Sequence, residues 1–340
     1  MAIKFLHMRS SHNQNKILVS VVVLNWNGDR HVHKCVEYVL AQTYRPLEII
    51  IVDNASTDDS LAKLRAKFPQ LIYKINSVNI GFAAGMNRGI SLSKGEFVVP
   101  LNQDVCLHPE FIRRCVDRIK SEDSIGAIGG RVFAWIGDDL TEKLRQYEGE
   151  LTYFRKRFQG RGGIKLDNEA YVFTPSGSFP FLRRKMLDDL NSISGCYFDE
   201  DYETGWEDAD LFFRMHLRGW RCLFLPSASG WHVGSGSVGG KARLMSKKTD
   251  YQKRIFRNRY FTIIKDLPGN ILLWLLPYLA IVEFALIPYL VVRSPKSLLA
   301  LASAWREIYR NFPALMAKRR AIQSNVLVEK NYLKQFFVKF

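Results

Sequence analysis

Ile17-Leu18-Val19-Ser20-Val21-Val22-Val23-Leu24, closed by Asn25-Trp26-Asn27-Gly28, is the stretch that decides the fold. All of its first eight residues but Ser20 are apolar, and most are β-branched. An apolar run without alternation marks a strand covered on both faces, as in a parallel sheet. The polar tetrapeptide breaks it, and helical spacing follows over 31–42. A second such strand, 47–52, ends in Asp53-Asn54-Ala55-Ser56-Thr57-Asp58-Asp59-Ser60, which offers N-cap residues for a helix through Lys67. Further strands are predicted at 71–76 and 96–101, the latter ending in Asn102-Gln103-Asp104, with helices over 81–93 and 109–121. Strand and helix in alternation predict an α/β fold with a mostly parallel central sheet and helices on both faces. Ligands of such sheets bind beyond the carboxyl ends of the strands. Here those ends are all polar.

Beyond about residue 130 the pattern is less regular. The charged and aromatic segment 137–170 reads as a loop or short hairpin. Segment 174–183 carries Ser176-Gly177-Ser178, and a helix is expected over 184–191. A helix over 207–217, capped by Gly219, leads into a strand at 221–225.

The net charge of +16 is unevenly placed. Residues 241–265 hold nine Lys/Arg against Asp250, and residues 293–340 hold ten against Glu307 and Glu329, so each block carries +8. The first 240 residues are nearly neutral. This distribution disfavours nucleic acid as partner, and no zinc-finger spacing or RNA-binding aromatic signature is present. The five cysteines are scattered without a Cys-x-x-Cys pair, which fits reduced thiols in the cytosol. Residues 1–16 lack an apolar core of signal-peptide length, so the chain is expected to start in the cytoplasm.

Three features carry chemistry. Neither Gly-x-Gly-x-x-Gly nor a Walker sequence follows the first strand, which disfavours a dinucleotide dehydrogenase or P-loop nucleotidase. Asp104, at the end of a buried strand, either holds a hard divalent cation or merely caps the region near Pro109. In Trp206-Glu207-Asp208-Ala209-Asp210-Leu211, the first-turn acids either complement the helix dipole or supply a general base. His232 precedes the glycine-rich Val233-Gly234-Ser235-Gly236-Ser237 and is either structural or placed to meet a bound diphosphate.

Taken in order, these motifs resemble family 2 glycosyltransferases of the GT-A fold, of the bacterial rhamnosyltransferase-like branch. The resemblance spans roughly residues 17–261. It rests on Val-Ser-Val-Val-Val-Leu-Asn-Trp-Asn-Gly (19–28), Ile-Val-Asp-Asn-Ala-Ser-Thr-Asp (51–58), Asn-Ile-Gly-Phe-Ala-Ala-Gly-Met-Asn-Arg-Gly (79–89), Leu-Asn-Gln-Asp (101–104), Phe-Asp-Glu (198–200), Glu-Asp-Ala-Asp-Leu (207–211) and His232 after a strand. It implies inverting sugar transfer from a nucleotide-diphosphate donor, dTDP-rhamnose first and UDP-sugars next, to an acceptor hydroxyl. It places Asn25, Asn27, Asp53, Asn54, Asn79, Gly81, Asn87, Asn102 and Gln103 on the donor side, with Asp53 at the base. Asn102-Gln103-Asp104 occupies the position of the Asp-x-Asp metal motif with its first carboxylate replaced. Asp104 and His232 are then the ligands of a Mg2+ or Mn2+ ion. Asp208 is the implied base, and Trp206 and Glu207 are on the acceptor side.

The apolar run 271–292 contains Pro277, Glu283 and Pro288. Its length suits a membrane span, yet a single crossing separates two basic blocks that the positive-inside tendency keeps together. The expectation is a re-entrant or interfacial hairpin kinked at the prolines, both basic blocks facing anionic lipid headgroups, and an in-plane helix within 298–339. Thus 1–16 is read as an N-terminal extension, 17–265 as the GT-A domain and 266–340 as a helical membrane-association region. The implied acceptor is lipid-linked or a polysaccharide, at the cytoplasmic face of the inner membrane, with a peripheral or monotopic enzyme. Whether the chain forms a homo-oligomer stays open. Two rivals are a non-catalytic membrane or polyanion-binding module on a GT-A scaffold, and a sugar nucleotidyltransferase. The second wants a Gly-rich basic phosphate loop that Asn25–Gly28 does not provide.

Overall fold

The computed structural model describes residues 17–146, 168–174, 178–234 and 244–337. Elements follow in chain order. They are β1 (Val19–Asn25), α1 (Val32–Leu40), β2 (Leu47–Asp53), α2 (Ser60–Lys67), β3 (Ile72–Ile75), α3 (Gly81–Leu92), β4 (Phe97–Asn102), β5 (Val105–Leu107) and α4 (Phe111–Ile119). Then come β6 (Ile125–Ile136), β7 (Asp139–Gln146), β8 (Ala170–Val172), β9 (Phe181–Arg183), α5 (Arg184–Ser194), α6 (Glu207–Leu217) and β10 (Arg221–His232). The chain closes with α7 (Thr249–Asp266), α8 (Gly269–Arg293) and α9 (Pro295–Gln323).

All ten strands of the described residues share one sheet, ordered β3-β2-β1-β4-β9-β6-β10-β5, with β7 beside β6 and β8 beside β10. The first four run parallel, as the unalternating apolar runs predict. The second half is mixed: β6 and β10 are parallel, while β9, β5, β7 and β8 pair antiparallel. Covering on both faces is visible in β1. Val19, Val21 and Val23 pack with α1 and α4 residues such as Val36 and Val116. Val22 packs on the other side with Met86, Met186 and Phe212 of α3, α5 and α6.

The carboxyl-terminal third differs from its sequence reading in two ways. First, the apolar run is not broken at its prolines. α8 is one unbroken helix with Pro277 and Pro288 inside it. Each proline removes one backbone donor, while Ile271, Leu275 and Leu290, buried on one side, hold the helix against the fold. Second, much of the first basic block faces the protein, not a headgroup layer. Lys253 and Arg257 pair with Glu307, Arg254 and Arg257 with Glu203, and Arg259 with Glu283. Lys265, fully buried, sits between Asp199 and Asp210. These cations lie on α7, which packs against α9, so their charge is balanced by carboxylates of the fold. The expected in-plane helix ends at Gln323, and Leu315, Ile322, Leu333, Phe336 and Phe337 join the main core.

Candidate active site

Three parallel strand ends lie side by side. Asn25 of β1 is in register with Asp53 of β2, and Leu24 with Asn102 of β4. The side chain of Asn25, fully buried, donates to Asp53 Oδ1 at 2.7 Å and to Ser60 Oγ at 2.9 Å. Asp53 also accepts from the backbone N–H and hydroxyl of Ser56, so its carboxylate organises the loop after β2. Asn27, at a left-handed φ of 49°, accepts from the Thr57 N–H at 2.8 Å. A short polar residue tolerates that conformation best. Gln103 closes the edge: its Oε1 accepts the Trp26 N–H at 2.6 Å and its Nε2 donates to the Trp26 carbonyl at 3.0 Å. Trp26 itself is 43% exposed.

A second group adjoins the first through the Asn54 N–H, which donates to the Asn25 carbonyl. The Asn54 amide donates to Asn79 Oδ1 and to the Gly81 carbonyl, and accepts from Asn76. Gly81 opens α3 at φ +83°, where a Cβ would press on the backbone of Glu203. That closeness has a use: the Glu203 carbonyl accepts the N–H groups of Phe82 and Ala83, satisfying two donors of the helix start. Asn87 stands apart from the strand ends. Its amide donates to the Phe198 carbonyl and Glu200 Oε1 and accepts the Phe198 N–H, bracing α3 against the 198–200 segment.

Asp104 and His232 meet because β5 and β10 pair antiparallel, with Val105 opposite His232. The Val233 N–H donates to the Asp104 carbonyl, and Asp104 Oδ1 lies 3.4 Å from His232 Nε2. Burial works to raise the Asp104 carboxyl, but the hydrogen bond and charge of His232 outweigh it and hold the group below the usual carboxylate range. The second ring nitrogen, His232 Nδ1, is 2.8 Å from Ser178 Oγ, a partner that fixes the ring's orientation. A carboxylate oxygen and an imidazole nitrogen converging in this way suit a divalent cation that takes its other ligands from a bound diphosphate. Among the described residues no third His, Cys, Asp or Glu joins them.

The start of α6 is reached through an unusual backbone. Glu203, Gly205 and Trp206 all have positive φ, at 57°, 84° and 74°. The Glu203 carboxylate is held by Arg254 and Arg257 of α7, and Asn258 of the same helix donates to the carbonyls of Tyr202 and Gly205. Backbone strain of this kind persists only where surrounding contacts over-determine it. It delivers Glu207 and Asp208 into the first turn. Glu207 Oε2 is buried without a hydrogen-bond partner. Burial, then the charge of Asp208, push its carboxyl up to about 8. Two adjacent acids thus differ in environment: Asp208 Oδ1 accepts the Ala209 N–H, while Glu207 is biased toward its neutral form.

Glu203 and His31 lie in no quoted motif, and Ser56, Ser60 and Ser178, though they fall within quoted stretches, gain their roles only through the fold. His31, before α1, is close enough to feel the charge of Asp104 while burial lowers its pKa. The glycine-rich residues 235–237, Ser176 and Gly177, the 1–16 extension and most of 137–170 lie outside the described residues; β7 supplies one antiparallel strand of the expected hairpin.

This half-parallel, half-mixed sheet with polar strand ends has the GT-A fold. The S. aureus TarS 1–349 structure in complex with UDP superposes with a TM-score of 0.55 at 17% identity, covering 94% of this chain and 91% of that one. A mannosyltransferase of Pyrobaculum calidifontis in complex with GDP-Man and Mn2+ gives 0.51 at 16% identity, covering 94% and 85%. The family profile described as Glycosyl transferase family 2 matches residues 20–190, and the chain belongs to that family. Among curated relatives, glycosyltransferase GlyG of Streptococcus pneumoniae serotype 4 is 26% identical over 197 residues, 54% of this chain and 62% of its own length. The poly-beta-1,6-N-acetyl-D-glucosamine synthase of Staphylococcus aureus is 25% identical over 233 residues, 65% of this chain and 51% of its own length. The chain thus spans less than two thirds of the curated relatives it matches.

Proposed function

We propose that the chain is an inverting glycosyltransferase that moves a sugar from a nucleotide-diphosphate donor to a hydroxyl of a lipid-linked or polysaccharide acceptor in cell-envelope glycan synthesis. The observation that carries this reading is the meeting of Asp104 and His232 beside the polar ends of β1, β2 and β4. Family membership supports it, as does the polysaccharide for which the staphylococcal relative is named, poly-beta-1,6-N-acetyl-D-glucosamine.

In this reading the edge built by Asn25, Asn27, Asp53, Asn54, Asn79, Gly81, Asn102 and Gln103 binds the nucleotide, with Asp53 nearest the base. Asn87 acts on that edge from behind, by holding α3. Asp104 and His232 hold Mg2+ or Mn2+, which supplies Lewis-acid stabilisation of the charge developing on the diphosphate. Asp208 accepts the proton of the acceptor hydroxyl. The oxygen of that acceptor hydroxyl bonds to the anomeric carbon on the face opposite the departing group, the bond from that carbon to phosphate oxygen breaks, and the nucleoside diphosphate leaves. A base so placed contributes about 10²–10⁴-fold. Trp206 and Glu207 border the acceptor. Glu207, biased toward its neutral form by burial and by Asp208, lessens the charge beside Asp208 and in that form can donate a hydrogen bond.

For the donor we propose dTDP-rhamnose first. UDP-N-acetylglucosamine is the second reading, favoured by the TarS neighbour solved in complex with it. The enzyme is placed at the cytoplasmic face of the inner membrane. The test is a panel of nucleotide sugars with Mg2+ or Mn2+, read as nucleoside diphosphate release with and without acceptor. A single preferred donor is expected. No release from any donor, with nucleotide still bound, would favour a non-catalytic module on this scaffold.

A further inference from the structure

One face of α8 is packed from end to end and the other is bare. Ile271, Leu275 and Leu290 are fully buried, and Leu279 and Leu286 pack partly into the same cores. Glu283 falls on this stripe, its carboxylate taken by Arg259 and the Tyr260 hydroxyl of α7. The spacing of three or four residues keeps these groups on one side of the helix. On the other side Leu273, Leu276, Ile281, Phe284, Val291 and Val292 are each more than half exposed, Phe284 to 80%. Between Gly269 and Val292 the only charged residue is Glu283, and it points inward. A continuous apolar ridge about 30 Å long, from Leu273 to Val292, is unlike the scattered apolar residues of an ordinary soluble surface.

The charges around the ridge say what covers it. At its amino-terminal end Lys334 sits over the Trp274 ring, 5.1 Å from its centroid. At its carboxyl-terminal end Arg293 and Lys296 are exposed. α9 exposes Arg306 and Arg310 among Trp305, Tyr309 and Phe312. Aliphatic residues along a ridge, with aromatics and cations around it, match the depth profile of an anionic bilayer surface. A crossing helix fits less well. The packed stripe ties α8 to the protein along its whole length, and both of its ends carry cations, one set of which a crossing drags through hydrocarbon.

We propose that α8 and the adjoining rim of α9 are a docking surface for an anionic lipid bilayer, with α8 lying in the membrane plane, half immersed, instead of crossing it. This rests on the transferase reading only in bringing the site to a lipid-linked acceptor. The docking helices and the catalytic loop form one body: Glu307 of α9 pairs with Arg257, which pairs with Glu203 of the loop before Asp208.

The full chain is mixed with vesicles of phosphatidylglycerol and phosphatidylethanolamine, or of phosphatidylcholine alone, and floated. Co-flotation is expected with the anionic vesicles only, weakening as salt is raised. A variant carrying Leu273→Glu, Phe284→Glu and Val292→Glu is expected to bind them at least ~10-fold more weakly. Its melting temperature and its donor hydrolysis in solution should be unchanged, since all three side chains are exposed. Spin labels at 273, 284 and 292 in a Cys196→Ser background should report one shallow depth. A label at 284 near the bilayer centre, with 273 and 292 in opposite headgroup layers, would overturn the proposal. So would absence of flotation, or a concentration-dependent dimer that the triple variant dissolves. Donor turnover without vesicle binding fails the docking surface alone; vesicle binding without turnover from any donor fails the transferase reading alone.

Discussion

His232 Nε2 lies 3.4 Å from Asp104 Oδ1, at the edge where β5 folds back antiparallel onto β10. Two residues far apart in the chain are thus fixed by sheet register, and the ring is oriented from behind by Ser178. Asp104→Ala is expected to weaken Mn2+ binding in the presence of UDP by at least about tenfold, measured by calorimetry or by the free-ion electron resonance signal. His232→Ala should act in the same direction with a smaller effect, and a chelator should stop transfer until Mn2+ is restored. Full turnover in excess chelator would remove the metal from the account.

Gly28 is the tightest point of the donor edge. A Cβ there meets Asn25 Oδ1 and, at 2.6 Å, Gln103 Oε1. Gln103 is the more able to move, and moving it breaks its pair of hydrogen bonds to the Trp26 backbone. Gly28→Ala should therefore raise the donor KM by about tenfold, roughly the 1–2 kcal/mol of a lost hydrogen-bond pair. Acceptor KM should be unchanged. Equal changes in both would place the loop elsewhere.

Glu207 makes stability depend on pH in a definite direction. Its carboxyl titrates near 8 in the fold, above the usual range of the unfolded chain. Between those values the unfolded state has lost a proton that the native state keeps, so this group costs stability progressively as pH rises from about 4.5 to about 8, then no further. Glu207→Gln should remove the penalty. Its melting temperature relative to the parent should rise across that interval, with the added stability reaching up to about 5 kcal/mol at the alkaline end. A difference independent of pH would show that Glu207 is ionised throughout.

Lys265 sits between Asp199 and Asp210 in the core, with Lys318 and Arg214 on their other sides. Lys265→Met keeps the bulk and removes the charge, leaving Asp210 buried with Arg214 alone. A loss of about 3–5 kcal/mol is expected, read as a lower denaturant midpoint. Lys265→Arg should recover part of it. A neutral Lys265→Met would mean that packing, not pairing, holds α7 to α6.

The parallel half of the sheet was legible because β1, β2 and β4 are largely apolar, buried runs ended by Asn or Asp, a pattern that local sterics and burial both impose. The mixed half was not. β5, β8 and β9 are three residues each, too short to show a period. β6 carries Gly126, Gly129 and Gly130, which interrupt its apolar pattern yet sit in the sheet; a Cβ at Gly130 would strike the Ala228 carbonyl of β10. The strand expected at 221–225 runs on to His232 through Pro226, where its register with β6 shifts. The polar clusters at Asn25, at Asp53 and at 102–104 stood out by their positions after strands, whereas Asn79, Asn87 and the role of Asp208 were implied by the family resemblance of their motifs. Ser178 and Glu203 were found by neither route, because their roles arise from contacts that only the assembled sheet and α3 create. The basic block at 241–265 misled for a related reason: its partners, Glu203, Asp210, Glu283 and Glu307, lie on other elements, so its charge read as free.

Asp208 at the start of α6 is the central claim. The measurement that tests it most directly is single-turnover transfer by Asp208→Asn from the preferred donor, alongside UDP and dTDP binding by the same variant. Transfer is expected to fall by about 10²–10⁴-fold or more, with nucleotide affinity within about twofold of the parent. Transfer near the parental rate, or nucleotide binding lost together with transfer, would contradict it.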